Sequence, residues 1–194
     1  ASIPKERMQV YFIDNDEYFK RKAIFSDEDD QLFSDNDERA IFFAKGVVET
    51  AKKLNWAPDF IHVHGWMASL LPLYIKEYYS DEPLFSESKI VTSVYDKDFE
   101  GSLNVGLAEK IKFDKISDDK IQVLQEPNYT NIIKSAVSNS DAIVQGSQEI
   151  PEEISEEIEK TEKGTAFSEA FLNDFLAWYQ PDVDHDIWQE WLSA

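Results

Sequence analysis

The chain has 194 residues, of which 42% are hydrophobic and 13% aromatic, enough for the core of one domain or of one domain with a helical appendage. It carries 39 Asp and Glu residues against 19 Lys and Arg, and the formal net charge of −20 argues against nucleic acid and anionic membrane surfaces as partners. The absence of cysteine excludes disulfides and thiolate chemistry. The sequence has no apolar run long enough to span a bilayer and no apolar leader, so we expect a cytoplasmic protein.

The N-terminal part predicts a strand followed by a surface loop. Apolar and polar side chains alternate over residues 7–13, the pattern of a half-buried strand. The acidic run at residues 27–30 favours a solvated loop over a cation site, because four adjacent carboxylates cannot all face one metal.

A helix is predicted from Asp35 to Asn55. Asp35 or Ser34 can cap it, with Glu38 as the capping-box partner. Its apolar residues recur at helical spacing and are Ile41, Phe42, Ala44, Val47, Val48 and Leu54. Trp56-Ala57-Pro58 then ends the element.

The centre of the sequence is a strand, a glycine and a helix. Residues 60–64 form a short apolar run typical of a strand buried on both faces, and residues 66–79 carry helical spacing. This layout would put His64, Gly65 and Trp66 at the carboxyl end of a strand, where open α/β sheets bind ligands. Position alone also fits core or rim histidines and a packing tryptophan. Three histidines, two of them on this strand, leave little material for a His-rich metal site, and we expect no metal site. We also expect no cofactor.

The elements that follow predict a parallel α/β sheet flanked by helices. Residues 89–94 form a β-branched strand, which should lie parallel to the strand at 60–64 because a helix connects them. A short helix at 105–112, a helix at 129–138, a strand within 140–147 and an acidic helix at 151–163 come next. A sheet of this kind usually begins with a unit of one strand and one helix, and the residues before residue 7 do not supply it. We therefore expect the chain to be a piece of a longer polypeptide.

The last thirty residues are rich in aromatic side chains. Phe167, Phe171 and Phe175 are spaced by four, which favours an amphipathic helix, although residues 175–179 could instead form a short strand. We expect this segment, 165–194, to dock on a Rossmann-like domain formed by residues 1–164. An exposed face that binds a partner is the alternative.

Four segments in register resemble the starch and glycogen synthases that use ADP-glucose. They are Val10-Tyr11-Phe12-Ile13-Asp14 with Phe19 and Arg21, Asp35-Asn36 with Arg39, His64-Gly65-Trp66, and Ser93-Val94-Tyr95-Asp96 with Phe99-Glu100-Gly101. The resemblance covers residues 8–150. It implies one half of a GT-B architecture, in which two Rossmann-like halves face each other, and glucosyl transfer from ADP-glucose to an α-1,4-glucan.

The same resemblance implies a set of sugar-binding residues but no confident catalytic residue. The candidates are His64, Trp66, Asp35, Asn36, Arg39, Tyr95 and Asp96. His64 and Trp66 match the family, whereas Gly65 and Met67 replace an Asp and a second His. Tyr95 and Asp96 likewise replace a His-Asn pair.

These substitutions, and the absence of a second α/β unit after residue 147, predict a poor transferase. A glucan-binding or regulatory module derived from the family is the alternative, and a flavodoxin-like domain with chance similarity is a third interpretation. The implied partners are ADP-glucose and an α-glucan.

Overall fold

The computed structural model describes residues 2–3, 8–147 and 149–161. Within these residues the strands are β1 (Ser2–Ile3), β2 (Met8–Gln9), β3 (Phe60–His64), β4 (Lys89–Val94) and β5 (Ala142–Gln145). The strands β3, β4 and β5 form a parallel sheet with β4 in the middle, and β1 and β2 form a separate antiparallel pair. The predicted parallel α/β sheet flanked by helices is thus confirmed.

Helices flank the sheet. Their bounds are α1 (Asp16–Phe19), α2 (Asn36–Lys53), α3 (Leu71–Leu73), α4 (Leu107–Phe113), α5 (Asp118–Ile121), α6 (Tyr129–Ser138) and α7 (Glu152–Lys160). The helix predicted at residues 129–138 is confirmed, and so is its buried face of Ile132, Ile133, Ala136 and Val137. Helix α2 buries a stripe of small residues at helical spacing, namely Ala40, Ala44, Val48 and Ala51.

The chain after Gly65 does not form the single helix that its spacing predicted. A 3-10 turn spans Trp66–Ala68, α3 follows, and Tyr74–Tyr78 is a π-helical turn in which the amide of Tyr79 donates to the carbonyl of Tyr74 at 2.9 Å. Pro72 has no N–H to donate to the carbonyl of residue 68, so a regular α-helix cannot run through this point.

Two predictions at the N-terminal side are wrong. Of the strand expected over residues 7–13, the described residues 8–13 form strand only at β2, and Phe12 is 80% exposed, so the alternation does not mark a core face. Asp35 makes no side-chain cap to α2, because its carboxylate pairs with Arg21 instead. Glu38 does not complete a capping box, since it accepts hydrogen bonds from Tyr18 and Lys110.

Other expectations have mixed outcomes. Leu54, predicted on the inner face of α2, is exposed because it lies beyond the last helical residue. The acidic run at 27–30 is fully exposed, as a surface loop requires. The aromatic segment 165–194 and its expected docking lie outside the described residues. None of the helices that the structure describes is long and apolar enough to cross a membrane.

Candidate functional site

The carboxyl ends of the three parallel strands meet at one edge of the sheet. His64 ends β3, Tyr95 and Asp96 follow β4, and Gly146 and Ser147 follow β5. This is the edge at which open α/β sheets bind their ligands. Of the candidate residues, the sheet therefore brings His64, Tyr95 and Asp96 to the same place.

His64 is exposed at this edge and is held by one neighbouring side chain. Its Nδ1 lies 2.7 Å from the hydroxyl of Tyr95. Partial burial lowers the pKa of the His64 imidazole, which favours the neutral ring at neutral pH. A neutral imidazole has one donor and one acceptor nitrogen, so with Nδ1 engaged by Tyr95 the nitrogen left for a ligand is Nε2.

The loop that carries Tyr95 is fastened from two directions. The hydroxyl of Tyr129, the first residue of α6, donates to the carbonyl of Asp96 at 2.9 Å and to that of Tyr95 at 3.2 Å. The amide of Asp96 donates to the Ser147 hydroxyl at 3.1 Å. Gly146 lies against the Tyr95 ring, and a Cβ at this position would overlap the ring. No pattern in the sequence signals these supporting roles of Tyr129, Gly146 and Ser147.

Gly65 turns the chain sharply after His64. Its φ of 74° and ψ of 157° belong to a region that is essentially restricted to glycine. The carbonyl of Gly65 accepts hydrogen bonds from the Ser69 hydroxyl at 3.0 Å and the Ala68 amide at 3.2 Å. The turn carries Trp66 away from the strand end and into the core.

Three of the candidate sugar-binding residues are buried. Trp66 is 2% exposed and packs against Phe25 and Phe99, with ring centroids 4.9 and 5.1 Å away. Asn36 is fully buried and Arg39 is 3% exposed. Burial favours a supporting role for these side chains over direct contact with a sugar.

The buried Asn36 and Arg39 hold the loop before α2 in place. Arg39 Nη1 donates to Asn36 Oδ1 at 2.6 Å, and Asn36 Nδ2 donates to the Phe25 carbonyl at 2.8 Å. Phe25 in turn contacts Trp66. Asp35, the seventh candidate, forms an ion pair with Arg21, and this guanidinium holds the pKa of the Asp35 carboxyl below its usual range. These contacts form a cluster of their own at the start of α2 and do not include His64.

A cavity of about 450 Å³ runs along β3. Both His62 and His64 line it, together with mostly apolar side chains that include Tyr11, Trp56 and Phe85. Its size is within the range of small-molecule pockets. Among the described residues, no group of three His, Asp or Glu side chains is placed to share a metal ion.

The partly buried position of His62 predicts a dependence of stability on pH. Burial, reinforced by the neighbouring His64, lowers the pKa of His62 from 6.5 to about 4. Between these values the unfolded chain binds a proton that the folded chain does not, so folding stability falls as the pH drops from 6.5 to about 4. Allowing for partial exposure of the ring, we expect His62 to account for a loss of about 1–2 kcal/mol.

Urea denaturation at pH 7 and at pH 4.5 measures this loss. The carboxylates also titrate over this range, so the comparison is with His62→Gln, which cannot take up the proton. The difference in stability between the two pH values should be smaller in the variant by the stated amount. Equal differences would contradict the assignment to His62.

The sequence of this chain is similar to one family profile and to several known proteins of one kind. The profile of the starch synthase catalytic domain matches residues 1–169. A glycogen synthase of Chlorobium luteolum is 34% identical over 157 residues, which cover 79% of this chain and 31% of that protein. Glycogen synthases of Chlorobium limicola and Vibrio parahaemolyticus are 37% and 33% identical over 60% and 66% of this chain, and in each case over 24% of the relative. The chain thus spans less than a third of the length of these relatives.

Proposed function

The chain belongs to the starch synthase catalytic domain family, and from this premise we propose that it is the N-terminal half of a glycogen or starch synthase-type glycosyltransferase of the GT-B architecture. In this role it holds a sugar at the carboxyl edge of β3, β4 and β5 for glucosyl transfer from ADP-glucose to an α-1,4-glucan. The proposal includes a cytoplasmic location. The relatives on which the proposal is based are called glycogen synthases.

The arrangement of His64 supports this proposal most directly. The ring is exposed at the strand end, is favoured in its neutral form, and has Nδ1 held by Tyr95 at 2.7 Å. A neutral imidazole fixed in this way can form a directional hydrogen bond with a sugar hydroxyl through Nε2. Tyr95 and Asp96 lie on the adjacent loop and are the other residues of this edge that we propose to contact the sugar.

The three proposed contact residues do not supply everything that the reaction requires. A leaving diphosphate must be stabilised by cationic groups or helix N-termini, whereas the three proposed contact residues, His64, Tyr95 and Asp96, carry no positive charge at neutral pH. In the proposed enzyme these groups come from the other half of the architecture. The described half then contributes sugar positioning, and the chain by itself should transfer glucose poorly.

A second function is favoured by a specific observation. Gly65 stands where the family has an Asp, and Trp66, which matches the family, is buried. A site with fewer polar side chains can still bind a glucan without catalysing transfer. The alternative is therefore a glucan-binding or regulatory module derived from the family.

Transfer of labelled glucose to glycogen by the full-length gene product tests the proposal. We expect incorporation from ADP-glucose in preference to UDP-glucose, and a loss of at least about 100-fold in His64→Ala, the effect of removing one hydrogen-bonding group that acts in a transition state. Glu109→Gln, an exposed change on α4, is the matched control and should leave incorporation unchanged. Incorporation that does not need His64 would contradict the proposed site. Glycogen binding without any incorporation would contradict catalysis and support the module.

A further inference from the structure

A second histidine lies beside His64 on the same face of β3. The centroids of the His62 and His64 rings are 3.9 Å apart, with an angle of 49° between their planes. His62 is partly buried, and its Nε2 lies 2.8 Å from the hydroxyl of Ser93, which is itself buried in β4. His62 is thus a polar side chain held in contact with the exposed ring.

The two histidines form a regular ladder with the neighbouring chain. In the parallel register His64 is opposite Ser93 and His62 is opposite Val91. Each histidine bonds to the residue that lies two positions after its register partner in the sequence. His62 therefore bonds to Ser93, and His64 bonds to Tyr95. The two hydrogen bonds are therefore consecutive rungs on one face of the β3 and β4 pair.

We propose that His62 is a positioning residue which, held by Ser93, fixes the ring plane and the tautomer of His64. The inference rests on the proposed function in one respect, namely that His64 contacts the sugar. It goes beyond that function because His62 and Ser93 are assigned no contact with the ligand and act through His64.

The physical basis is the rotational freedom of a histidine side chain. The terminal torsion of histidine has broad minima, so a ring held by Tyr95 alone can tilt and exchange its two nitrogens. The His62 ring at 3.9 Å blocks one side of His64, and the bond to Ser93 prevents His62 itself from turning. When the ring is fixed so that Nδ1 accepts from the Tyr95 hydroxyl, the proton of the neutral imidazole is on Nε2, which is then the nitrogen available to a ligand.

Simple packing does not account equally well for a histidine at position 62. Burial of an imidazole in this environment is unfavourable for its charged form, and its pKa falls to about 4. A phenylalanine of similar size would fill the space without this effect, but it could not bond to Ser93, and packing alone would hold its ring. The polar pair is therefore explained by the orientation that it gives to its neighbour.

Nitrogen-15 spectra of the histidine rings in the full chain test this inference, since the two ring nitrogens differ in shift when one tautomer dominates. The chain has three histidines, and the signals lost in His64→Ala identify those of His64. We expect well separated Nδ1 and Nε2 shifts in the wild type. In Ser93→Ala and in His62→Leu the two shifts should converge towards a mixture of tautomers, and Ser93→Thr, which keeps the hydroxyl, should retain the separation.

Thr92→Val is the matched control. Thr92 is the adjacent residue of β4, is equally buried, and bonds through its hydroxyl to Ser140. Neighbouring residues of a strand face opposite sides. Thr92→Val therefore removes a buried hydroxyl from the same strand but leaves the bonds of His62 to Ser93 and of His64 to Tyr95 in place. Unchanged His64 shifts in both Ser93→Ala and His62→Leu would overturn the inference.

The outcome is separable from the outcome of the transfer assay. If the shifts converge as expected but glucosyl transfer does not depend on His64, the positioning role stands and the proposed function fails. If transfer depends on His64 but its nitrogen shifts are insensitive to residues 62 and 93, the proposed function stands and the positioning role fails.

Discussion

Replacing Asp37 with alanine should destabilise the folded chain by about 2–3 kcal/mol. The Asp37 side chain is fully buried in the first turn of α2, and its Oδ2 lies 2.6 Å from Nζ of Lys110 on α4. The bond joins two helices that are far apart in the sequence. Loss of Asp37 leaves the ammonium with less compensating charge, which is the main cost of breaking a buried pair. The ammonium is 34% exposed and keeps Glu38, so the cost stays below that of a fully isolated charge.

Glu38→Ala is the control for this prediction. Glu38 binds the same ammonium at 2.7 Å, but its own side chain is 43% exposed. An exposed pair contributes less than about 1 kcal/mol, because water and salt screen it. Urea denaturation at pH 7 compares the two variants. Equal losses of stability would show that burial is not what distinguishes the two carboxylates.

Gly65→Asp, which introduces the residue that the resemblance to the synthase family implies at this position, should destabilise the chain by about 1–3 kcal/mol. The cause is the backbone, since no atom lies within 4 Å of a Cβ built at Gly65 and the positive φ of 74° is unfavourable for any L side chain. The glycine therefore permits a turn that an aspartate would resist. We expect no gain in glucosyl transfer from this change, because the strain also acts on the adjacent His64.

Gly65→Ala separates backbone strain from side-chain chemistry. If strain dominates, the alanine and aspartate variants should lose similar stability in urea denaturation and should both perturb the His64 ring signals. An aspartate variant that is as stable as the wild type, with higher glucosyl transfer, would mean that the turn at residue 65 readily accommodates an L side chain. That result would contradict the requirement for glycine at position 65.

The sheet was predictable from local patterns because its strands are short, apolar and β-branched. Strands β3 and β4 have the bounds that their sequence patterns predicted, and the connecting segment between them dictates a parallel arrangement. The segment after Gly65 was not predictable in the same way. Its side chains are buried on several sides, at Leu70, Leu71, Leu73, Tyr74 and Ile75. With no polar face, periodicity cannot distinguish a regular helix from a succession of 3-10, α and π turns.

The candidate site was predictable where it depends on the sheet. The rule that parallel strands end at one edge places His64 beside Tyr95, and the structure shows them in contact. Burial of Asn36 and Arg39 was not predictable, because it results from the preceding loop folding over Trp66 and has no local signal. The support of Tyr95 by Gly146 also depends on a contact across some fifty residues of sequence, which no spacing reveals.

The two hydrogen bonds from the Tyr129 hydroxyl have a thermodynamic consequence for ligand binding. They immobilise the backbone at Tyr95 and Asp96 as soon as α6 packs on the sheet. The conformational entropy of this segment is then lost during folding, and binding of the proposed sugar need not restrict it again. Preorganisation of this kind raises affinity without adding a contact to the ligand, so we expect the first residue of α6 to contribute to the binding constant of the proposed site.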